Sequence, residues 1–221
     1  MVRSKRESKL NVVGIFAFAI VGLIAWMTFG PTTNSSASNA GGMSLSTPTP
    51  EVAPRFGFRT LREGMTGDDV RILKGLVTSQ SYLKHSTIDS DFDSPTTSAV
   101  KKFQKAADLK ANGVVTTGTA KTMKRSMDKT EASWYGPGLY GNGVACGGTL
   151  KASTIGVANK TLPCGTKVMI AYHGRYLMTK VIDRGPYIKG RAWDLTYAAA
   201  DALGFIDAGV ANVRSTVIKP K

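Results

Sequence analysis

The sequence predicts a multi-domain chain: an N-terminal transmembrane helix, a small three-helix domain and a C-terminal closed β-barrel. Three observations predict this. A basic N-terminus runs into an uncharged apolar stretch. Apolar residues then recur at helical spacing. From about residue 131 the pattern changes to short strands separated by Gly-rich turns. The resulting division is 1–10 as a cytoplasmic basic segment, 11–29 as a membrane anchor or signal, 30–55 as a flexible linker, 56–128 as the helical domain and 131–221 as the barrel.

Arg3, Lys5, Arg6 and Lys9 precede an apolar run from Val12 to Phe29. At about 1.5 Å per residue that run is about 27 Å long, close to the thickness of a bilayer core. Trp26 lies near its outer end, where interfacial aromatics are common. The basic flank predicts a cytoplasmic N-terminus and a single pass, with everything after it outside the cytoplasm. A cleaved signal peptide is the alternative. Against it, the run is long and no A-x-A site follows closely; Ser38-Asn39-Ala40 is far downstream. Residues 30–54 are Ser, Thr, Pro, Gly, Ala and Asn with almost no large apolar side chains, a composition that cannot bury a core.

The chain carries 29 Lys and Arg against 15 Asp and Glu, a net charge of +14. That favours an anionic partner: nucleic acid, acidic lipid or an anionic wall polymer. Export of the chain's bulk argues against nucleic acid. Cys146 and Cys164 are the only cysteines. In an oxidising compartment such a pair reads as one disulfide, with two buried free thiols as the alternative. His85 and His173 are the only histidines, and neither lies at metal-ligand spacing from the cysteines. No metal or cofactor is expected.

In the helical segment, Val70, Leu73, Leu76 and Val77 share one face of a helix opened by Gly67-Asp68-Asp69, with Thr66 as its cap. Ser94 caps a second helix with Pro95 in its first turn and Ala99, Val100, Phe103 and Ala107 on its apolar face. Thr117 caps a third, carrying Ala120, Met123 and Met127. In the barrel segment, 167–172 and 175–182 flank His173-Gly174, a hairpin signal. Thr196 caps a short helix ended by Gly204, and 210–218 supplies a last strand.

The chemistry-bearing stretch is Val181-Ile182-Asp183-Arg184-Gly185-Pro186. An apolar strand ends in a carboxylate and turns at once, which places an acid at a strand mouth. Asp194 follows eleven residues later in Ala192-Trp193-Asp194-Leu195. In so basic a chain, two acids at rigid strand-flanking positions are the best lead to chemistry.

Two resemblances sharpen these readings. Leu61-Arg62-Glu63-Gly64, Gly67, Val70, Leu73, Asp89, Asp91, Phe92, Thr96-Thr97, Phe103-Gln104 and Asn112-Gly113-Val114 are similar to the peptidoglycan-binding domain 1 family. Lys74 departs from the family's usual Gln, and Asp93-Ser94 from its Gly-Pro. Asp89, Asp91, Gln104 and Asn112 are the polar residues through which the resemblance would imply a ligand contact. Ala132 to Gly138, Gly156-Val157-Ala158, Thr161-Leu162-Pro163, Gly165-Thr166, Asp183 to Tyr187, Asp194-Leu195 and Ala198 to Gly204 resemble the rare lipoprotein A family. That implies a six-stranded double-psi β-barrel, shared with expansins and barwin-like proteins. The cysteine placement leans towards those relatives.

The second resemblance implies lytic transglycosylase chemistry on peptidoglycan, in which the muramyl 6-hydroxyl closes onto the anomeric carbon without water. Such a reaction needs an acid beside the leaving oxygen. Asp183 is the expected acid and base, with Asp194 orienting the sugar. Trp134 and Tyr135 are the expected apolar platform, and Asn159, Arg184 and Tyr187 complete the expected substrate contacts. The family places a Glu and a His where this chain has Gly148 and Asn159. A non-catalytic, expansin-like protein that binds and loosens wall polymer is therefore the second reading.

Overall fold

The computed structural model describes residues 52–84 and 87–219. The expected basic segment and membrane span lie outside the described residues. Within them, no helix is long and apolar enough to cross a membrane.

Helices α1 (Asp68–Ser79), α2 (Ser94–Ala106) and α3 (Thr117–Arg125) occupy the segments with helical spacing. Their caps fall elsewhere than expected. The N-caps are Gly67, Asp93 and Thr116. Asp93 accepts from the Thr96 amide at 2.9 Å, and a carboxylate suits the positive end of a helix better than the Ser94 hydroxyl. Thr66 instead bridges to Asp91. Thr116 accepts from the Thr119 amide at 3.3 Å, one residue ahead of the expected cap.

Gln104 is buried; its amide donates to Val114 O at 2.8 Å and its Oε1 accepts from Gly113 N at 2.9 Å. Asn112 Oδ1 accepts from Val114 N at 3.0 Å. Both therefore brace the 112–114 turn. Lys74 is wholly buried, with Nζ 2.5 Å from Asp89 Oδ1 and 3.4 Å from Asp93 Oδ2. The departure at Lys74 is thus matched by the departure at Asp93, its ion-pair partner.

Six strands follow: β1 (Asp128–Tyr135), β2 (Val157–Ala158), β3 (Lys167–Tyr172), β4 (Arg175–Asp183), β5 (Arg191–Thr196) and β6 (Ala211–Val217). They close in the order β1-β5-β2-β4-β3-β6, with β1/β5 and β2/β4 parallel and the remaining pairs antiparallel. β1 begins three residues ahead of the expected boundary at 131. The β3–β4 turn holds His173 and Gly174 at φ 45° and 83°, the left-handed pair that a tight hairpin needs. α4 (Tyr197–Leu203) is capped by Thr196 and ends on Gly204 at φ 67°, as read.

Along β3, Val168 and Ile170 face the barrel interior with Val157, Val181, Leu195 and Val213. Met169 and Ala171, on the opposite face, join Tyr176 and Ile218 in the core of the helical domain. Burial on both faces explains the unbroken apolar run from Val168 to Ala171. α1 approaches this wall at Gly75, where a Cβ would stand 2.5 Å from Met169 Cε and 3.0 Å from Met178 Sδ.

The end of the expected linker belongs to the fold. Ala53 N donates to Ala202 O and Tyr176 N to Pro54 O, each at 2.9 Å. Phe56 then packs edge-on against Tyr176, ring centroids 5.7 Å apart.

Candidate functional site

The site is built around the shortest strand. Ala158 on β2 pairs with Asp183 on β4 on one side and with Asp194 on β5 on the other. Asp194 pairs in turn with Ser133 on β1. Partners in register project to the same side of a sheet. Asp183, Ala158, Asp194 and Ser133 therefore form one row across four strands. Neighbouring strands are about 4.8 Å apart, so the two acid-bearing backbones stand about 10 Å apart, with only a methyl group between them.

Asp183, Ala158 and Asp194 of this row form the floor of a cleft of about 270 Å³ lined also by Tyr135, Leu139, Asn142, Gly143, Val144, Leu150 and Arg184. The 136–150 loop makes its far wall. Backbone bonds Gly141 N to Leu150 O and Leu150 N to Asn142 O, each 2.9 Å, hold the loop closed on itself. Two further links tie it to the barrel: Cys146 N donates to Ile182 O at 3.0 Å, and Cys146 is disulfide-bonded to Cys164.

The two carboxyl groups sit in different surroundings. Asp183 Oδ1 accepts from Ala145 N at 2.9 Å and Arg184 N at 2.8 Å, so the loop itself orients this acid. Asp194 Oδ1 accepts from Ser133 Oγ at 2.6 Å, and Ser133 Oγ accepts from Arg191 Nη1 at 3.1 Å. Burial pushes the Asp194 carboxyl above the usual carboxylate range. The Ser133 hydroxyl and the Arg191 charge pull it back, and the nearby Asp183 charge adds to the rise. Tyr135, two residues along β1 from Ser133, has a buried hydroxyl with no close hydrogen-bond partner among the described residues. Burial, then the charge of Asp183 and a loose hydrogen bond to its carboxylate, then the charge of Asp194, push its phenol up, so it stays protonated.

The structure brings Asp183, Asp194, Tyr135 and the backbone of Arg184 together. The other expected contacts are placed elsewhere. Trp134, on the opposite face of β1, donates from Nε1 to Ile206 O at 3.1 Å and packs edge-on against Tyr197 at 5.4 Å. Asn159 Oδ1 accepts from Thr161 N and Leu162 N at 3.1 and 2.9 Å, and its Nδ2 donates to Ala192 O at 3.1 Å. Its amide is thereby committed to the turn. The Arg184 guanidinium reaches away, donating to Leu162 O at 3.0 Å and Cys164 Sγ at 3.2 Å. Tyr187 is 81% exposed and lies outside the cleft lining. Gly148, at φ 90°, adds no side chain to the loop.

Sequence reasoning missed Ser133, Arg191, Ala158 and the loop residues Leu139, Val144 and Leu150. Period-two alternation from Tyr135 would have placed Ser133 on the cleft side of β1. No local pattern ties Ala158 to both acids.

Comparison with known proteins finds relatives for both the barrel and the helical segment. Residues 128–215 match the family model described as "Lytic transglycolase", and residues 66–123 the one described as "Putative peptidoglycan binding domain". The "Probable endolytic peptidoglycan transglycosylase RlpA" of Synechocystis sp. is 36% identical over 115 residues, covering 51% of this chain and 36% of that protein. Its namesake in Aquifex aeolicus is 41% identical over 90 residues, 40% of each chain. The "Endolytic peptidoglycan transglycosylase RlpA" of Campylobacter jejuni is 40% identical over 89 residues, 39% of this chain and 32% of that one. The chain thus spans well under half the length of the curated relatives it matches. Residues 128–215 thus form a closed six-stranded barrel similar to the lytic transglycolase family, following a helical segment at 66–123 similar to the peptidoglycan-binding one.

Proposed function

We propose that this protein binds peptidoglycan and cleaves its glycan strands as a lytic transglycosylase, held at the outer face of the cell membrane by residues 11–29. The observation that carries the reading is the pair of carboxyl groups on either side of Ala158, at the floor of an open cleft. One carboxyl is inclined by burial to keep its proton; the other is oriented by two backbone amides. Acid and base work in one cleft calls for two groups whose surroundings differ in this way.

Asp194 donates its proton to the glycosidic oxygen as the bond from that oxygen to the anomeric carbon breaks. The muramyl 6-hydroxyl oxygen bonds to the anomeric carbon, and its proton passes to Asp183. The products are a shortened glycan with a 1,6-anhydromuramyl end and a second fragment with a free hydroxyl. Tyr135, protonated beside both acids, keeps its hydroxyl turned towards Asp183. The +14 charge holds the chain against an anionic wall.

The test is to incubate the full chain with purified glycan strands and follow anhydromuramyl ends by mass spectrometry. Cleavage is expected from wild type and its loss from Asp183→Asn and Asp194→Asn. Cleavage that persists in both variants would overturn the mechanism.

A specific observation favours a second reading. Where the resemblance expects a Glu and a His, Gly148 carries no side chain and Asn159 is spent on its own turn. Binding without any anhydro ends in wild type would select the non-catalytic, expansin-like role.

A further inference from the structure

At the end of the barrel remote from the acid cleft, a pocket of about 290 Å³ opens where α3 meets the wall of β1, β6 and β3. Lys124 of α3, Lys129 of β1 and Arg214 of β6 line it, with Tyr172, His173 and Asn212. No carboxylate lines it. Arg214 pairs in register with Lys129 on one side and with Ala171 on the other. Its Nη1 donates to the Met127 and Arg125 carbonyls, which fixes the guanidinium in place. Lys124 and Lys129 make no salt bridge among the described residues. Three cations gathered with no acid among them suit a ligand that carries phosphate.

The surroundings select the source of the phosphate. The β3–β4 turn that supplies His173 also carries Gly174, and a Cβ added there would stand 3.5 Å from the Phe58 ring. Phe58 is 67% exposed, and the Arg55 guanidinium lies 5.1 Å from its ring centre. Arg55 bridges to Arg175, the first residue of β4. Exposed Val52 lies three residues before Arg55. Exposed apolar side chains among basic ones suit a bilayer interface, where the charges meet phosphate headgroups and the ring enters between them. A phosphate polymer in solution would use the charges and leave Phe58 idle. The chain also arrives at this end. Ala53 and Pro54 bond to Ala202 and to Tyr176, the second residue of β4. Asp183 closes the same strand eight residues after Arg175, about 26 Å away at about 3.3 Å per residue.

We infer that this end of the barrel docks on an anionic phospholipid surface through Lys124, Lys129, Arg214 and Phe58, which turns the acid cleft away from the membrane and towards the wall. The inference rests on the proposed anchor at 11–29, and the two are read separately. The full chain is mixed into vesicles of brominated phosphatidylglycerol, or of brominated phosphatidylcholine alone, and tryptophan quenching is followed. Quenching of Trp26 in wild type reports on the anchor. Phe58→Trp adds a reporter at the docking surface, and Tyr187→Trp adds one beyond the end of β4, past Asp183. Phe58→Trp is quenched beyond wild type in phosphatidylglycerol, and much less in phosphatidylcholine. K124A/K129A abolishes that excess, while K124R/K129R keeps it, so charge and not folding is what is lost. K102A/K105A, which removes the same charge from α2, leaves the excess unchanged. Tyr187→Trp shows none. No excess for Phe58→Trp, an equal excess in phosphatidylcholine, an excess that survives K124A/K129A or is lost in K124R/K129R, or an equal excess for Tyr187→Trp would each overturn the inference. A chain that binds polyglycerol phosphate while Phe58→Trp stays unquenched would give the pocket to a wall polymer instead.

Discussion

In the proposed mechanism the acid, Asp194, is also a side chain whose burial opposes stability. Its folded pKa is raised, so between its ordinary and its raised value the folded state binds more protons than the unfolded one. Stability therefore falls as pH rises through that window, and ionised Asp194 is a cost at neutral pH. Asp194→Asn keeps an oxygen for the Ser133 hydroxyl and sheds the buried charge. It raises the thermal midpoint at pH 7, while glycan cleavage drops by about 10²–10⁴. Thermal melts and anhydro-end yield from the same preparation check both. Ser133→Ala removes a hydrogen bond that lowers the Asp194 pKa. Asp194 then stays protonated to higher pH, and the alkaline limb of the pH–cleavage profile moves upward. Tyr135→Phe removes a buried hydroxyl that makes no close hydrogen bond, so stability holds or improves while cleavage slows. A fall in thermal midpoint for Tyr135→Phe would mean that the hydroxyl is satisfied within the protein.

At the scale of elements, the acid-bearing row depends on a two-residue strand and on a loop clamped by one disulfide. Cys146 and Cys164 are 18 residues apart, and closing a loop of that size stabilises by about 3 kcal/mol in the chain-entropy model. The same bond holds Ala145, whose amide orients Asp183. Cys146→Ser/Cys164→Ser therefore lowers unfolding free energy by about 3 kcal/mol and also lowers cleavage. Denaturant titration and product analysis separate the two losses. The legibility of these elements in the sequence followed how local their causes were. The β3–β4 hairpin was readable because its turn needs two left-handed residues and supplies His173-Gly174. α4 was readable because Thr196 and Gly204 punctuate it. The β1/β5 and β2/β4 pairings carry no local mark, since parallel partners are joined through distant connections. The six-stranded barrel came from the resemblance, and the row uniting Asp183, Ala158, Asp194 and Ser133 emerged only with the register. Three cap residues slipped by one position; at α2 the cause is that Asp93 and Ser94 compete for the same amides.

At the scale of the molecule, the two domains share a core. The helical cluster of Leu73, Leu76 and Phe103 continues into Met169, Tyr176 and Ile218 of the barrel. Arg214 of β6 donates to Met127 O at 2.9 Å and Arg125 O at 3.4 Å, beside the C-terminal end of α3. A shared core predicts one cooperative transition rather than two. The acid limit of that transition is set in the helical domain. The Lys74 ammonium and the Asp91 amide hold Asp89 below the usual carboxylate range. Burial would raise Asp93, but its bonds to Thr96 and the charge of Lys74 outweigh it and leave Asp93 lowered as well. A lowered folded pKa contributes stability that is present above the unfolded value of about 3.9 and is lost as pH falls through the folded one. Below about pH 4 the thermal midpoint therefore falls. Because the core is shared, helix signal at 222 nm and barrel signal from Trp134 and Trp193 fall together. Gly75→Leu drives a side chain into Met169 and Met178, costing about 1–3 kcal/mol, and separates the two signals by forcing α1 off the barrel wall. Two separate transitions in wild type would refute the shared core and leave the helical domain acting as an independent tether.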